Sequence, residues 1–388
     1  MTHDGRWLIL TGEFPPDCGG VGDYTAQLAA ALAEAGDRVT VLRPPTSDAL
    51  TAQNNVEIVA LPDHFGLASR EEIGRHIDRL RPRVLLQYVP QAFGMRGANV
   101  PLCRWLRLRL QRGDDIRVMF HEPFLYLSPH PGQAALAAVQ RAMAAILLRA
   151  SRHVYLSTAA WVPYLKPYAP REFSPVTLAI PSAIPRVDRP ALVEATRTHF
   201  LGDSASRLIG HFGTYGNHIA PLVRHALISV LQRDTAVAAL CVGDRSAAFV
   251  DDLNRSVPAI RNRIHATGRL TAEDVSVHLQ ACDLLLQPFP DGVTTRRTSI
   301  MAGLANGRAV ITTDGVLTES VWRDSRAAVL VPAGDRSALV SGIEKLIADP
   351  DERMVLAKRA TSVYEGKFAI ERTVAALRDT AALAAAAL

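Results

Sequence analysis

Short apolar runs separated by amphipathic stretches recur along almost the whole chain. In the first half they predict buried strands at Trp7–Leu10, Val39–Leu42, Val56–Leu61, Val84–Tyr88, Val118–Phe120 and His153–Leu156. Helical patterns lie between them, such as Asp23–Ala35, which Gly36 follows as a C-terminal signal. Strands that alternate with helices in this way predict parallel sheets covered by helices on both faces.

The alternation pauses at the proline-rich stretch IPSAIPRVDRP, residues 180–190, which predicts a linker. It then resumes with predicted strands at Leu208–Phe212, Val237–Val242, Ile264–Thr267, Leu284–Gln287, Ala309–Thr312 and Ala328–Val331. The predicted fold class is α/β, with two doubly wound, Rossmann-like parallel-sheet domains that face a central cleft. We expect domains at residues 1–185 and 186–370. A C-terminal helix is expected at 371–388, with a return to the first domain as one option.

The amino-acid composition favours some classes of protein and disfavours others. The 388 residues are 48% hydrophobic and 21% charged, which is typical of a globular chain. Cys18, Cys103, Cys241 and Cys282 are far apart, so neither a zinc site nor a disulfide framework is expected. The start of the chain does not resemble a signal peptide and no apolar run is long enough to span a membrane, which favours a cytoplasmic location.

The net charge and its distribution indicate which kinds of ligand or surface the protein could bind. The formal charge of +5 suits an anionic ligand or an anionic membrane surface. No basic run with interleaved aromatics is present, so nucleic acid is not an expected partner. In CRWLRLRLQR, residues 103–112, we expect Arg104, Arg107 and Arg109 near one helical face. This helix either contacts the inner face of the cell membrane peripherally or packs on its own sheet with a solvated basic face.

Two glycine-rich loops follow predicted strands. Gly19, Gly20 and Val21 lead into the first helix, where exposed N–H groups and the helix dipole favour a phosphate. Gly213 and Thr214 occupy a similar loop in the second half. The alternative at both places is an ordinary strand-to-helix turn. The spacing of the first loop breaks the dinucleotide fingerprint, which disfavours a dehydrogenase.

Two further positions carry polar side chains at predicted strand ends. His121 follows the strand VMF, where it can hydrogen-bond a sugar hydroxyl or transfer a proton, or simply cap the strand. Arg296 and Arg297 stand directly before a predicted helix, and Thr298 and Ser299 add hydroxyl donors. Two guanidinium groups at a helix N-terminus predict a diphosphate clamp, although one of the two can be a solvated surface arginine.

With these segments in place, the chain resembles the large retaining glycosyltransferase family, glycosyltransferase family 4-like, that carries a Glu-x7-Glu signature. The resemblance extends over nearly the whole chain. Its motifs are EFPPDCGGVGDYT, FHEP, VGD, TGRL, ACDLLLQPF, AGLANGRAVITTDG and LTESVW, in that order. It implies the GT-B fold and transfer of a sugar from a nucleotide-diphosphate sugar, with retention at the anomeric carbon. Because arginines and helix dipoles would offset the developing phosphate charge, no metal or other cofactor is expected.

The resemblance also implies roles for single residues. His121 is similar to the histidine beside the transferred sugar, and Gly19 and Gly20 to the loop near the donor phosphate. Arg269 and Leu270 lie in the segment whose backbone meets the base. Asp291 and Gly292 begin the loop that cradles the donor sugar, and Glu319 is similar to the acidic residue after the following strand.

Two departures from the family pattern are visible. Thr294 and Ala302 occupy the positions of the two signature glutamates. Thr214 and Ile219 replace the usual basic pair of the second glycine loop. We expect Arg296 and Arg297 to supply the lost positive charge, as in a divergent branch with an Arg-Arg-Thr-Ser loop. Ribose recognition must then differ or be weaker.

The expected activity is transfer from a nucleotide sugar, with a UDP- or GDP-sugar as the expected donor, in glycan, polysaccharide or glycoconjugate biosynthesis. A glycan, a lipid-linked glycan or a small aglycone would suit as acceptor. A nucleotide-sugar epimerase or hydrolase, and a non-catalytic nucleotide-sugar-binding protein, remain open alternatives.

Overall fold

The computed structural model describes residues 5–16, 19–46, 56–202 and 205–379. It forms two compact units, Met1–Ala179 together with Ile370–Leu388, and Ile180–Ala369. Cys18, the opening MTHD and the final alanine-rich stretch therefore lie outside the described residues.

The first unit contains a parallel sheet whose described strands run in the order β3-β2-β1-β4-β5-β6-β7. Its strands are β1 Arg6–Thr11, β2 Arg38–Arg43, β3 Val56–Ala60, β4 Arg83–Tyr88, β5 Asp115–Phe120, β6 His153–Leu156 and β7 Val176–Thr177. Its helices are α1 Gly20–Glu34, α2 Leu67–Leu80, α3 Val100–Gln111, α4 Pro131–Arg149 and α5 Val162–Leu165. The strand predictions for this half are confirmed. Strand β7 was missed because two residues cannot form a periodic pattern.

The second unit repeats this plan with the order β10-β9-β8-β11-β12-β13, again parallel. Its strands are β8 Arg207–Phe212, β9 Val237–Val242, β10 Ile264–Ala266, β11 Leu284–Gln287, β12 Ala309–Asp314 and β13 Val329–Pro332. Its helices are α6 Pro190–Leu201, α7 Ala220–Arg233, α8 Ser246–Ser256, α9 Ala272–Ala281, α10 Thr298–Ala305, α11 Ser320–Ser325, α12 Arg336–Ala348 and α13 Pro350–Val363. The strands predicted here are also confirmed.

Strand order in both sheets reverses direction next to the first strand. In the second sheet β8 lies between β9 and β11, so the connections after β8 and β11 leave in opposite directions. Loops separate at such a point and leave a crevice at the carboxyl ends of the strands, where ligands bind in open α/β sheets. The fold thus places a candidate binding crevice at the ends of β8 and β11.

The last described helix, α14 Ile370–Arg378, belongs to the first unit and packs on α1. Buried Arg117 in β5 forms a bidentate ion pair with Asp115 and donates to the carbonyl of Leu377 at 3.0 Å. Arg378 donates to the carbonyl of Ala35 at 3.0 Å. These bonds satisfy carbonyls at two helix ends and join α14 to the sheet and to α1.

The basic helix differs from expectation at one position. Arg104 and Arg107 are exposed on α3, but Arg109 is 5% exposed and points the other way. Its guanidinium pairs with Asp78 at 2.6 Å and with Asp114 at 2.7 Å. The expectation that Arg109 belongs to a basic surface is therefore wrong, because these carboxylates hold it against the body of the unit. Within the described ranges, no helix is both long and apolar enough to span a bilayer.

The described cysteines serve the core. Cys103, Cys241 and Cys282 are buried free thiols, and burial raises the pKa of each to about 12. A thiol with so high a pKa is protonated at neutral pH and is a poor nucleophile. These residues contribute to core packing.

Candidate functional site in the second unit

A cavity of about 340 Å³ opens at the carboxyl ends of β8, β9 and β11. It is lined by His211, Phe212, Gly213, Thr214, Tyr215, Ile219, Gly243, Asp244, Gln287, Phe289, Arg296, Arg297, Thr298 and Ser299. A larger groove of about 560 Å³ runs along α13 beside Trp322, but it contains none of the glycine loops or adjacent arginines. We take the smaller cavity as the candidate site because it lies where the strand order reverses.

The two adjacent arginines border this cavity at the start of α10. The N–H of Arg297 donates to the carbonyl of Thr294 at 3.1 Å, which turns the chain into the helix. The Arg297 guanidinium lies over the ring of Phe289, 4.7 Å from its centroid, which restricts its orientation. Thr298 and Ser299 follow on the first turn of α10 and also line the cavity. Cationic side chains and helix N–H groups thus border one wall, as an anion requires.

The glycine loop after β8 forms the neighbouring wall. Gly213 and Thr214 line the cavity, and the N–H of Gly213 donates to the carbonyl of Val242 at 3.1 Å. Tyr215 has a left-handed backbone at φ 54°, and its hydroxyl donates to the carbonyl of His211 at 3.1 Å. The loop is therefore held closely against β8 and β9. The structure brings it together with Arg296 and Arg297, which the sequence placed about 80 residues away.

Two polar side chains on the cavity floor escaped the sequence analysis. His211 and Gln287 are 2% and 1% exposed and stand near the ends of β8 and β11. Burial lowers the pKa of His211 to about 4, so its ring is neutral at pH 7. The signal that could have revealed them is a histidine and a glutamine inside apolar strands, near the carboxyl ends.

The predicted sugar-cradling loop is held by Glu319. The Glu319 carboxylate accepts from the N–H of Thr295 at 2.5 Å and from its hydroxyl at 2.7 Å, and both residues are buried. Gly292 adopts φ 91°, and a side chain there would collide with Gly315 and Thr318. The carbonyl of Asp291 accepts from Leu317 N–H at 2.9 Å. Residues 291–295 are thus packed against the segment 315–319.

The remaining predicted donor residues of this unit lie beyond the cavity lining. Arg269 is exposed and Leu270 half-buried in the loop after β10. This loop is connected to the cavity through Gly243, which lines the cavity and whose N–H donates to the hydroxyl of Thr267 at 3.4 Å. Thr294 and Ala302, which replace the signature glutamates, are 1% and 0% exposed. In the part of the chain that is described, no cluster of three histidine, cysteine or carboxylate groups could hold a metal ion.

The glycine loop of the first unit already contacts a carboxylate. Glu13 accepts from the N–H groups of Val21 at 2.8 Å and Gly22 at 3.0 Å at the start of α1. A side chain at Gly19 would collide with this carboxylate. Burial, and to a lesser degree Glu13, raises the pKa of the nearby Asp23. A phosphate at the Val21 amide would have to displace Glu13, so contacts from Gly19, Gly20 and Val21 stay predictions.

His121 is likewise enclosed in the first unit. It follows β5, is 5% exposed, and its Nε2 lies 2.7 Å from Oε1 of Gln87. Its carbonyl accepts from Nε1 of Trp161 at 2.9 Å, and its ring meets Tyr24 edge to face at 5.3 Å. The contact with the amide oxygen requires the proton on Nε2. The predicted position of His121 beside the sugar stays a prediction.

Two Rossmann-like units of parallel strands, with an anion-suited cavity at the sheet switch point of the second, define the GT-B class. A family model described as Glycosyl transferases group 1 matches residues 206–349, within the second unit. This part of the second unit is therefore similar in sequence to that family of transferases. No curated protein matches the sequence significantly.

Solved structures support the same fold. Sucrose-phosphate synthase from Thermosynechococcus elongatus aligns with a TM-score of 0.70 at 17% identity, covering 99% of this chain and 100% of that one. A glycosyltransferase from Rickettsia africae aligns with a TM-score of 0.71 at 13% identity and covers 96% of both chains. HepE from Anabaena, solved with UDP and glucose, aligns with a TM-score of 0.69 at 15% identity, covering 97% and 99%. At such identities the likeness shows the GT-B fold alone.

Proposed function

We propose that the protein transfers a sugar from a nucleotide-diphosphate sugar to an acceptor hydroxyl with retention of anomeric configuration. The observation that carries the proposal is the pair Arg296 and Arg297 at the start of α10, on the cavity at the switch point of the second sheet. The structural likeness to HepE, which has been solved with UDP-glucose, supports a nucleotide-sugar donor. A UDP- or GDP-sugar remains the expected donor.

The charge arrangement suits a diphosphate leaving group. When the bond between the anomeric carbon and the phosphate oxygen breaks, negative charge grows on the nucleoside diphosphate. Arg296, Arg297 and the first-turn N–H groups of α10 would stabilise that charge in a partly enclosed site. These groups would perform the electrostatic work that a metal ion performs in other transferases.

The proposed reaction is a front-face displacement. The acceptor oxygen forms its bond to the anomeric carbon on the face that the diphosphate leaves. The acceptor proton passes to the departing phosphate oxygen, which serves as the base. Such a route does not use the pair of carboxylates that a glycosidase requires. His121 would orient the sugar and would not act as a nucleophile.

The first test is calorimetric titration of the protein with UDP, GDP, ADP and dTDP. We expect selective binding of one of them. Replacing both arginines, Arg296→Ala with Arg297→Ala, should lower that affinity by about 2 kcal/mol or more, since each charge-assisted hydrogen bond contributes roughly 1.5–3 kcal/mol. The control Arg255→Ala with Arg336→Ala removes the same charge from exposed positions outside the cavity lining. Equal affinity in the two double variants would contradict the phosphate role.

Turnover separates the proposed activity from its alternatives. The protein would be incubated with the selected sugar nucleotide, with and without candidate acceptors, and free nucleotide would be measured. Release that depends on an acceptor is expected. Release without an acceptor would favour an epimerase or hydrolase. Binding without any release would favour a non-catalytic protein, which the replacement of both signature glutamates by Thr294 and Ala302 also motivates.

A further inference from the structure

The side chains of His211 and Gln287 form hydrogen bonds between β8 and β11. Nδ1 of His211, on β8, lies 2.7 Å from the carbonyl oxygen of Leu286 on β11. Nε2 of Gln287, on β11, donates to the carbonyl of Phe212 on β8 at 3.2 Å. Backbone pairing between these two strands extends to Leu285. Beyond it the two side chains continue the cross-linking at the carboxyl ends of the strands.

This exchange leaves one acceptor on each side chain. A histidine that meets a carbonyl through Nδ1 carries its proton there, so Nε2 presents a lone pair. The NH2 group of Gln287 donates to the carbonyl of Phe212, so Oε1 is the acceptor that this side chain retains. Both atoms are fully buried, and neither receives a hydrogen bond from any residue in the described ranges. Buried acceptors of this kind are rare in native proteins and expensive to leave unsatisfied.

Both side chains line the 340 Å³ cavity. The His211 Nε2 atom lies 3.2 Å from the position that a Cβ atom at Gly213 would occupy, so the glycine keeps a side chain away from this nitrogen. Tyr215 packs edge to face on the His211 ring, with centroids 5.1 Å apart, and fixes its plane. The acceptors therefore have fixed positions at the floor of the cavity, and the Arg296–Arg297 pair borders the same cavity.

The two parts of the cavity differ in the chemistry that they accept. A diphosphate at neutral pH is almost entirely an acceptor, so it complements the arginines and not two lone pairs. A hydroxyl group can donate to either acceptor. We propose that His211 Nε2 and Gln287 Oε1 form a hydroxyl-recognition subsite, which selects ligands that carry a sugar hydroxyl close to their phosphate groups. This inference rests on the proposed function, since it assigns the hydroxyl-bearing part of the same nucleotide-sugar ligand.

The test compares ligands with and without hydroxyls in calorimetric titrations. The ligands are pyrophosphate, UDP, dUDP and UDP-glucose, or the guanosine counterparts if GDP binds better. The variants are Gln287→Leu, which removes one acceptor, and His211→Phe, which removes the other while keeping a ring against Tyr215. The control is Thr312→Val, because Thr312 is also buried and donates to the Gln287 carbonyl but lies outside the cavity lining.

Each of the two variants should weaken binding of a hydroxyl-bearing ligand about five-fold, the effect of one neutral hydrogen bond. Pyrophosphate affinity should stay within about two-fold of the wild type, and Thr312→Val should change neither. A loss seen with UDP and not with dUDP assigns the ribose 2′-hydroxyl, whereas a loss confined to UDP-glucose assigns a hydroxyl of the sugar. If His211→Phe fails to fold, Gln287→Leu alone decides.

Three results would overturn the subsite. The first is an equal loss of pyrophosphate affinity and hydroxyl-ligand affinity, and the second is no loss of either. The third is proton uptake on ligand binding that is present in the wild type and absent in His211→Phe, measured by calorimetry in two buffers of different ionisation enthalpy. It would show a protonated His211 on a phosphate. If the folded wild type binds none of the ligands, the proposed function fails and the subsite with it, which is a different result from altered ligand preference.

Discussion

Glu319 offers a sharp test of whether a predicted donor-binding residue contacts the ligand or positions the loop. Its carboxylate accepts two hydrogen bonds from Thr295 and is 7% exposed. The variant Glu319→Ala removes the acceptor of both bonds in a buried setting. Each donor deprived of its acceptor costs roughly 1–3 kcal/mol, so we expect a loss of about 3 kcal/mol in the free energy of unfolding of the second unit.

Thermal unfolding followed by calorimetry measures this loss. For a unit of this size, each kcal/mol corresponds to roughly 2–4 °C, so the transition of the second unit should fall by about 6–12 °C. Glu319→Gln retains one acceptor oxygen and should lose less than half as much. Thr295→Val removes the hydroxyl donor but keeps the N–H, and should lose about 1–2 kcal/mol. The effects of Glu319→Ala and Thr295→Val should be less than additive, because the two residues share a bond.

The positioning role would be refuted by a transition of Glu319→Ala within 2 °C or so of the wild type, a shift well below the one expected from lost hydrogen bonds. Strict additivity with Thr295→Val would also contradict it. If nucleotide affinity falls strongly in Glu319→Gln while its unfolding transition stays unchanged, the residue contacts the donor directly, as the family resemblance implies.

Two further predictions concern a turn and a buried histidine. Gly292→Ala should destabilise the loop before α10 and weaken nucleotide binding, because Gly292 has φ 91° and an added Cβ would collide with Gly315 and Thr318. The control Gly216→Ala should leave the melting temperature and the nucleotide affinity unchanged, because there is open space around Gly216. His211 should make the protein less stable in acid, because its pKa is about 4 in the folded state and 6.5 in the unfolded state. Its contribution to the free energy of unfolding is complete above pH 6.5. Up to about 3 kcal/mol of that contribution is lost as the pH falls to 4. The fall in melting temperature between pH 7 and pH 4.5 should be smaller in His211→Phe than in the wild type, and an equal fall would contradict this assignment.

Several strand boundaries could be predicted closely because the sheets are parallel and buried on both faces. Val237–Val242 and Leu284–Gln287 are fully buried, so their apolar runs stand out in the sequence without further information. The glycine loops and the arginine pair were also visible, since glycine and charge are local signals. Their convergence on one cavity follows from the fold class, because loops at the carboxyl ends of parallel strands meet.

Contacts between distant positions were not visible in this way. The Arg109 pairing with Asp78 contradicts the basic face that helical periodicity predicted, because periodicity does not show which carboxylates a neighbouring element presents. The Glu13 bond to the start of α1 depends on how one loop folds back on the helix. Neither contact has a signature in composition or spacing.

The amino-acid sequence by itself determined the class of fold, the position of the strands and the loops that carry glycine and arginine, because burial, turn geometry and charge act locally along a chain. Only the tertiary structure decided that Glu319 holds Thr295 and that His211 and Gln287 share a cavity floor. Those pairs depend on strand order and register: His211 and the Leu286 carbonyl are 75 positions apart and meet only because β8 lies beside β11.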